Sequence, residues 1–203
     1  MNPIHSKEIL ELQDAIIEEW HQKEYMIKEW DNAIKMIKSN YEGLLKIVFE
    51  IQLINCFQWH EEDKSRDTNL PDRLLVNIKR SIDRSNQRRN DKTEEIDAYI
   101  LDAIRSCNIN LTNEVPINSE TPGSIIDRLS IISLKIYHMK QETLRTDVSH
   151  EHIMRCKENY NIIITQREDL SIFLDKLSED LFSGKKRLKV YHHFKIYNNK
   201  KSN

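Results

Sequence analysis

From Ile9 onward, the apolar residues of this chain fall at steps of three and four. They run Ile9, Leu12, Ile16, Trp20 and then, past a gap near Lys23, Ile27, Trp30, Ile34, Ile37, Tyr41, Leu44, Val48 and Ile51. That spacing lines one face of a 3.6-residue helix. It predicts long N-terminal helices, as one bent helix or as two that meet near Ser39-Asn40, with Gly43 as the weak point. The polar run HEEDKSRDTN, starting at His60, closes this stretch. Pro71 then opens a helix running to about Cys107, since its ring suits the first helical turn. Residues 108–120, rich in Asn and holding Pro116, read as a loop. Thr121-Pro122 reads as an N-cap with Pro at the first helical position, opening a short, very apolar helix to about Gln141. A last helix starts near Ser149 and stops at Ser183-Gly184, where glycine suits a left-handed C-cap.

The tail differs in kind. After Asp180 it has no acidic residue and seven Lys or Arg, and Leu188, Val190, His192, Phe194 and Ile196 alternate with other positions. It reads as a basic arm, 184–203, packed along the bundle or extending from it, or else as a short terminal helix. The expected fold is all-α: a single helical bundle of four to six helices spanning 1–203.

Composition agrees with long helices. The chain has only 3 Gly and 4 Pro in 203 residues, against roughly 12% for the pair in ordinary proteins. Charged residues reach 32%, yet the net charge is -2, so no global field points to nucleic acid. Three cysteines without CxxC spacing argue against a disulfide framework or a cysteine zinc site. No apolar run has signal-peptide or membrane-spanning length. A cytoplasmic location is the expectation.

Function is sought where the apolar stripes break. Arg167 sits where the last helix demands an apolar residue. In the helix from Pro71, the core side turns polar at Ser85, Asn86 and Arg89 before Ile96 resumes it. In the very apolar helix, Asp127, Lys135 and His138 share one sector of about 80° at 100° per residue. Buried charges need partners from other helices. Arg66, Arg89 or Arg167 could neutralise Asp127, and Lys135 could pair with Asp83 or Asp91. One reading is an ion-pair network that fixes helix register. The other is a shared site. In that site Arg66, Asp83, Asn86, Arg89 and Arg167 hold an anionic ligand, with Arg89 and Arg167 clamping its charge, and Asp127, Lys135 and His138 are the acid/base candidates. His60, Glu62 and Asp63, with Glu95 and Asp97 nearby, could hold a divalent metal such as magnesium. Solvated acidic helix ends explain the same residues. No Ser-His-Asp arrangement, phosphate loop or dinucleotide fingerprint is present.

The same segments carry a family resemblance. QWHEED (from Gln58), KRSIDRSNQRRND (from Lys79), INSETPGSIIDRLSIISLKIYHM (from Ile117), QREDL (from Gln166) and GKKRLKVYHHFKIYN (from Gly184) resemble the motif blocks of a bacterial domain-of-unknown-function family, number 4254. The resemblance spans roughly residues 45–198. Two blocks depart from the family pattern, at Pro122-Gly123-Ser124 and at His192-His193-Phe194. It implies a helical bacterial protein found beside envelope-polysaccharide genes, with no established activity. Three functions follow as expectations. The first is binding of a phosphorylated small molecule, such as a nucleotide sugar or sugar phosphate, as enzyme or accessory of glycan synthesis. The second is a non-catalytic protein that docks a glycosyltransferase or an anionic surface. The third is a metal-dependent nucleotide hydrolase.

Overall fold

The computed structural model describes residues 4–37, 40–107, 109 and 112–191. Among them are six α-helices: α1 (Ser6–Lys23), α2 (Trp30–Met36), α3 (Gly43–Ser65), α4 (Asp72–Ser106), α5 (Pro122–Thr143) and α6 (His150–Phe182), with a 3-10 turn at Glu24–Met26. The fold is all-α. The only β-type pairing among these residues is one isolated bridge between Ile117 and Arg187.

The N-terminal stripe is divided into three helices, not one or two. The gap near Lys23 is a true end: α1 stops there, and Ile27 is extended (φ -92°, ψ 92°). Ile27 is nevertheless only 6% exposed. Apolar spacing reports burial, and consecutive short helices on one core keep that spacing without being continuous. The second break falls before Gly43, which adopts φ +56°. A side chain there would be strained, and its Cβ would meet the Tyr99 hydroxyl at 2.7 Å.

Local chemistry sets the other helix ends. The Pro71 carbonyl accepts from the Leu74 and Leu75 amides at the start of α4. Thr121 and Ser124 form a reciprocal capping box ahead of α5, with Pro122 in its first turn, and these bonds satisfy amides that have no helical partner. The Ser149 hydroxyl accepts from the His152 amide on α6. Gly184, at φ +74°, turns the chain after α6.

Helix α3 lies along α4 and α5 lies along α6, while α1 packs on α3, α5 and α6. Helix α5 touches α1, α3, α4 and α6. Its Ile125, Ile126, Leu129 and Leu134 join one hydrophobic cluster with Trp20, Ile51, Ile100 and Leu174. Each such side chain, fully buried, contributes roughly 1.5–3 kcal/mol before conformational entropy is charged against it. Past α6 the arm runs back along the loop before α5. The Arg187 amide donates to the Pro116 carbonyl at 2.9 Å, and Leu188 is buried. Residues 192–203 of the expected arm lie outside the described residues. Among the described residues, no helix is long and apolar enough to cross a membrane.

The start of α5 is pinned hard against α4. The Gly123 amide donates to Asp97 Oδ1 at 2.7 Å. A Cβ at Gly123 would sit 2.4 Å from the Thr93 carbonyl oxygen and 2.8 Å from Asp97 Oδ1. Gly123→Ala is therefore expected to destabilise the fold by about 1–3 kcal/mol through overpacking, despite the better helix propensity of alanine. Urea unfolding checks this, and an unchanged or raised midpoint would contradict the close approach.

Candidate functional site

The polar residues of α5 find their partners on the helices around it. Asp127 lies where α3, α4 and α5 meet. Asn55 Nδ2 of α3 donates to Asp127 Oδ1 at 3.0 Å and to Ser130 Oγ at 2.9 Å. Arg89 Nε of α4 stands 3.7 Å from Asp127 Oδ2. Both ionic side chains are well shielded, Arg89 at 27% and Asp127 at 16% exposure. Burial pushes the Asp127 carboxyl above the usual range, while the Asn55 hydrogen bond and the Arg89 charge pull it back.

In front of this pair opens a cavity of about 160 Å³. Asn55, Trp59, Glu62, Arg66 and Arg89 line it, together with Gln58, Asp63 and two apolar residues of α5. Gln58 Nε2 donates to Asn86 Oδ1 at 3.0 Å, which ties the cavity wall to the middle of α4. The carboxylates of the wall have cations beside them: Arg66 pairs with Asp63, and Lys79, outside the lining, stands 3.7 Å from Glu62.

Four expected residues thus reach one cavity wall: Arg66, Arg89, Glu62 and Asp63. Asp127 and Asn86 brace it from behind. The others go elsewhere. Arg167 donates to Asp14 Oδ1 of α1 at 2.7 Å and to Ser133 Oγ at 3.3 Å, and lines a separate cavity of about 200 Å³ with Tyr137, Lys140 and Tyr160. The neutralising partner of Arg167 is Asp14, not Asp127. Lys135 and Asp83 are exposed. His60 does not form a metal-sized group with Glu62 and Asp63 among the described residues. Asp97 instead accepts the Gly123 amide, and Glu95 pairs with Lys92 at 2.6 Å.

Two other cavities compete on size. One of about 300 Å³ has mainly apolar walls, including Ile4, Leu44, Leu45, Tyr99 and Phe182. A broad cleft of about 610 Å³ holds Lys28, Lys64, Arg84 and Arg88. There Arg88 lies 4.9 Å over the Trp30 ring and Lys64 pairs with Glu61. The smaller α3–α4–α5 cavity differs from both in that hydrogen-bonded polar groups of α3 and the shielded Arg89 of α4 converge on it, braced from behind by Asp127 of α5.

His138 belongs to an aromatic cluster beside that cavity. Its ring stacks on Trp59, a residue of the cavity wall, with centroids 4.8 Å apart. It also meets His21 of α1 at 5.0 Å and His60 of α3 at 5.7 Å. Tyr137 stacks on His21 at 4.0 Å, and Trp20 stacks on His60 at 5.8 Å. Sequence reasoning missed His21. A signal was available: Trp20-His21, Trp59-His60 and Tyr137-His138 each place a histidine directly after an aromatic residue.

Comparison with known proteins adds a family. Residues 45–190 match the family model described as a protein of unknown function, DUF4254. No curated protein and no solved structure matches the chain.

The histidines make stability depend on acid. Burial, then the neighbouring histidines, push His60 and His138 from 6.5 down to about 4, and burial lowers His21 as well. Asp63 acts the other way on both, Glu24 also on His138, and Lys64 adds to the depression of His60. An unfolded chain accepts protons below its ordinary histidine pKa that the folded chain refuses. Stability contributed by the neutral rings is therefore present above about 6.5 and lost as the pH falls towards 4. Thermal melts in metal-free buffer should show the melting temperature falling across that window. The fall should be shallower in the double variant His60→Gln, His138→Gln. Equal slopes would contradict this.

Proposed function

The chain belongs to the DUF4254 family of proteins of unknown function, and we propose that it binds the phosphoryl end of a sugar phosphate or nucleotide sugar in the α3–α4–α5 cavity. Such binding fits an enzyme or accessory of glycan synthesis. The observation that carries the reading is Arg89, a shielded guanidinium in the cavity wall whose one ion pair among the described residues is the 3.7 Å contact with Asp127. At that distance the carboxylate fixes the position of the charge without a short hydrogen bond. A guanidinium placed in this way keeps donors for a phosphate, which it recognises in a planar, bidentate manner.

The remaining wall suits the sugar. Glu62, Asp63 and Asn55 offer acceptors for hydroxyl groups, and Trp59 and Leu134 offer apolar surface. A volume of about 160 Å³ is below the roughly 300–1,000 Å³ of a drug-sized site. It accommodates a phosphoryl group or one sugar ring, and a nucleoside would extend outward past Arg66. Cation and carboxylate balance on the rim, which favours a ligand that presents hydroxyls along with its charge over a bare polyanion. Within this reading Asp127 is a positioning residue that acts through Arg89.

A thermal-shift screen against sugar phosphates and nucleotide sugars tests the proposal. A ligand at 100 times its Kd raises stability by about 2.7 kcal/mol. Arg89→Ala should remove the shift and Arg89→Lys should weaken it. Arg84→Ala, in the broad basic cleft, should leave it intact. No stabilisation by any such ligand, or a shift that survives Arg89→Ala, would overturn the reading.

A further inference from the structure

The structure assigns His21, His60 and His138 to a three-histidine site for one divalent transition-metal ion of the zinc class. The three side chains come from α1, α3 and α5. One ring nitrogen of each lies within 4.8 Å of those of the other two. Some point is then within about 2.8 Å of all three nitrogens, against roughly 2.0–2.1 Å for a zinc–imidazole bond. Small ring rotations close that difference.

The hydrogen bonds decide which nitrogens are free. His21 Nδ1 lies 2.7 Å from the Ile17 carbonyl oxygen, which can only accept, so Nδ1 carries the proton. His60 Nδ1 lies 3.0 Å from Glu24 Oε1, and the same logic protonates it. In both rings Nε2 is left as a lone pair. Nε2 of His21, of His60 and of His138 is buried and has no hydrogen-bond partner in the protein. A buried acceptor left unsatisfied loses its hydration with nothing in return. His21 and His60, both protonated at Nδ1, cannot satisfy one another through Nε2. A single water molecule donates at most two hydrogens, so it serves all three only where His138 carries its own proton at Nε2. A metal cation serves all three at once.

The surroundings are those of a metal-binding histidine site. A ligating imidazole usually donates its other N–H to a carbonyl or a carboxylate, which fixes the tautomer and the ring; here those acceptors are Ile17 and Glu24. Stacking on Tyr137, Trp20 and Trp59 holds the three planes. Imidazole nitrogens select zinc and its neighbours, whereas magnesium and calcium require oxygen. Three protein ligands leave a coordination position for water or another donor. The assignment does not depend on the anion reading of the neighbouring cavity, although Trp59 borders both.

The test uses the full chain without a polyhistidine tag. Protein stripped with a chelator and titrated with Co²⁺ should bind one equivalent, with visible absorption bands of a nitrogen-ligated ion, and Zn²⁺ should displace it. X-ray absorption of the zinc form should show about three imidazole ligands. His60→Ala and His138→Ala should weaken binding by more than the 10–100-fold typical of outer contacts. His152→Ala, in the separate Glu142, His152 and Cys156 group, should leave the stoichiometry at one, and excess Mg²⁺ should not compete. The absence of Co²⁺ or Zn²⁺ binding by the folded wild-type chain would overturn the assignment. A zinc spectrum without imidazole, or undiminished binding in folded His60→Ala, would do the same.

Discussion

A helix packed against four others has little solvent to satisfy its inward polar atoms, and α5 is in that position, with a strip that holds Arg128, Lys135 and Lys140 left exposed. Its first turn must bond to something. The Thr121–Ser124 box takes part of that demand and Asp97 of α4 takes the Gly123 amide. One turn on, Asp127 and Ser130 share the Asn55 amide. Further along, Ser133 meets Gln13 and Arg167. Next comes Tyr137-His138, packed among rings from α1 and α3. Burial costs several kcal/mol for an unpaired ion or amide, so each contact constrains the neighbouring helix as much as α5 itself. The bundle is organised around this one element.

The fold was legible because its signals are local. Helix caps at Thr121, Ser149 and Gly184 and the three-and-four spacing depend on residues a few positions apart. The end of α1 was legible only as a gap, since Ile27 keeps the apolar rhythm while its backbone is extended. For the candidate site, Arg89 and Asp127 were visible as charges on apolar stripes, and the cost of burying either alone called for a partner, but Arg66, Arg89 and Arg167 were all candidates for Asp127. The partner of Arg167 was not visible. Asp14 lies beside the α1 stripe, where an acid looks like part of a solvated face. His60 and His138 were noticed for separate reasons, and nothing local says that α1 brings His21 between them. Long-range convergence of three helices is a property of packing.

The cavity and the histidine cluster are coupled through geometry. Trp59 contributes to the wall of one and stacks on a ring of the other. Asn55, one turn earlier on α3, holds Asp127 and with it the Arg89 charge. Any change that rotates α3 about its axis alters both sites together, so the two cannot be tuned independently by substitutions in this helix.

The tight seat of Gly123 has a meaning beyond packing. It acts as an indexing mark for the helix that follows. A slip of one residue at that point would turn all of α5 by about 100°. Asp127 would leave Asn55 and Arg89, Ser133 would leave Gln13, and His138 would swing out of its ring cluster. With no room for even one methyl group against the Thr93 carbonyl, the phase of the helix is set at its first turn, and every polar position over the next fifteen residues arrives in step.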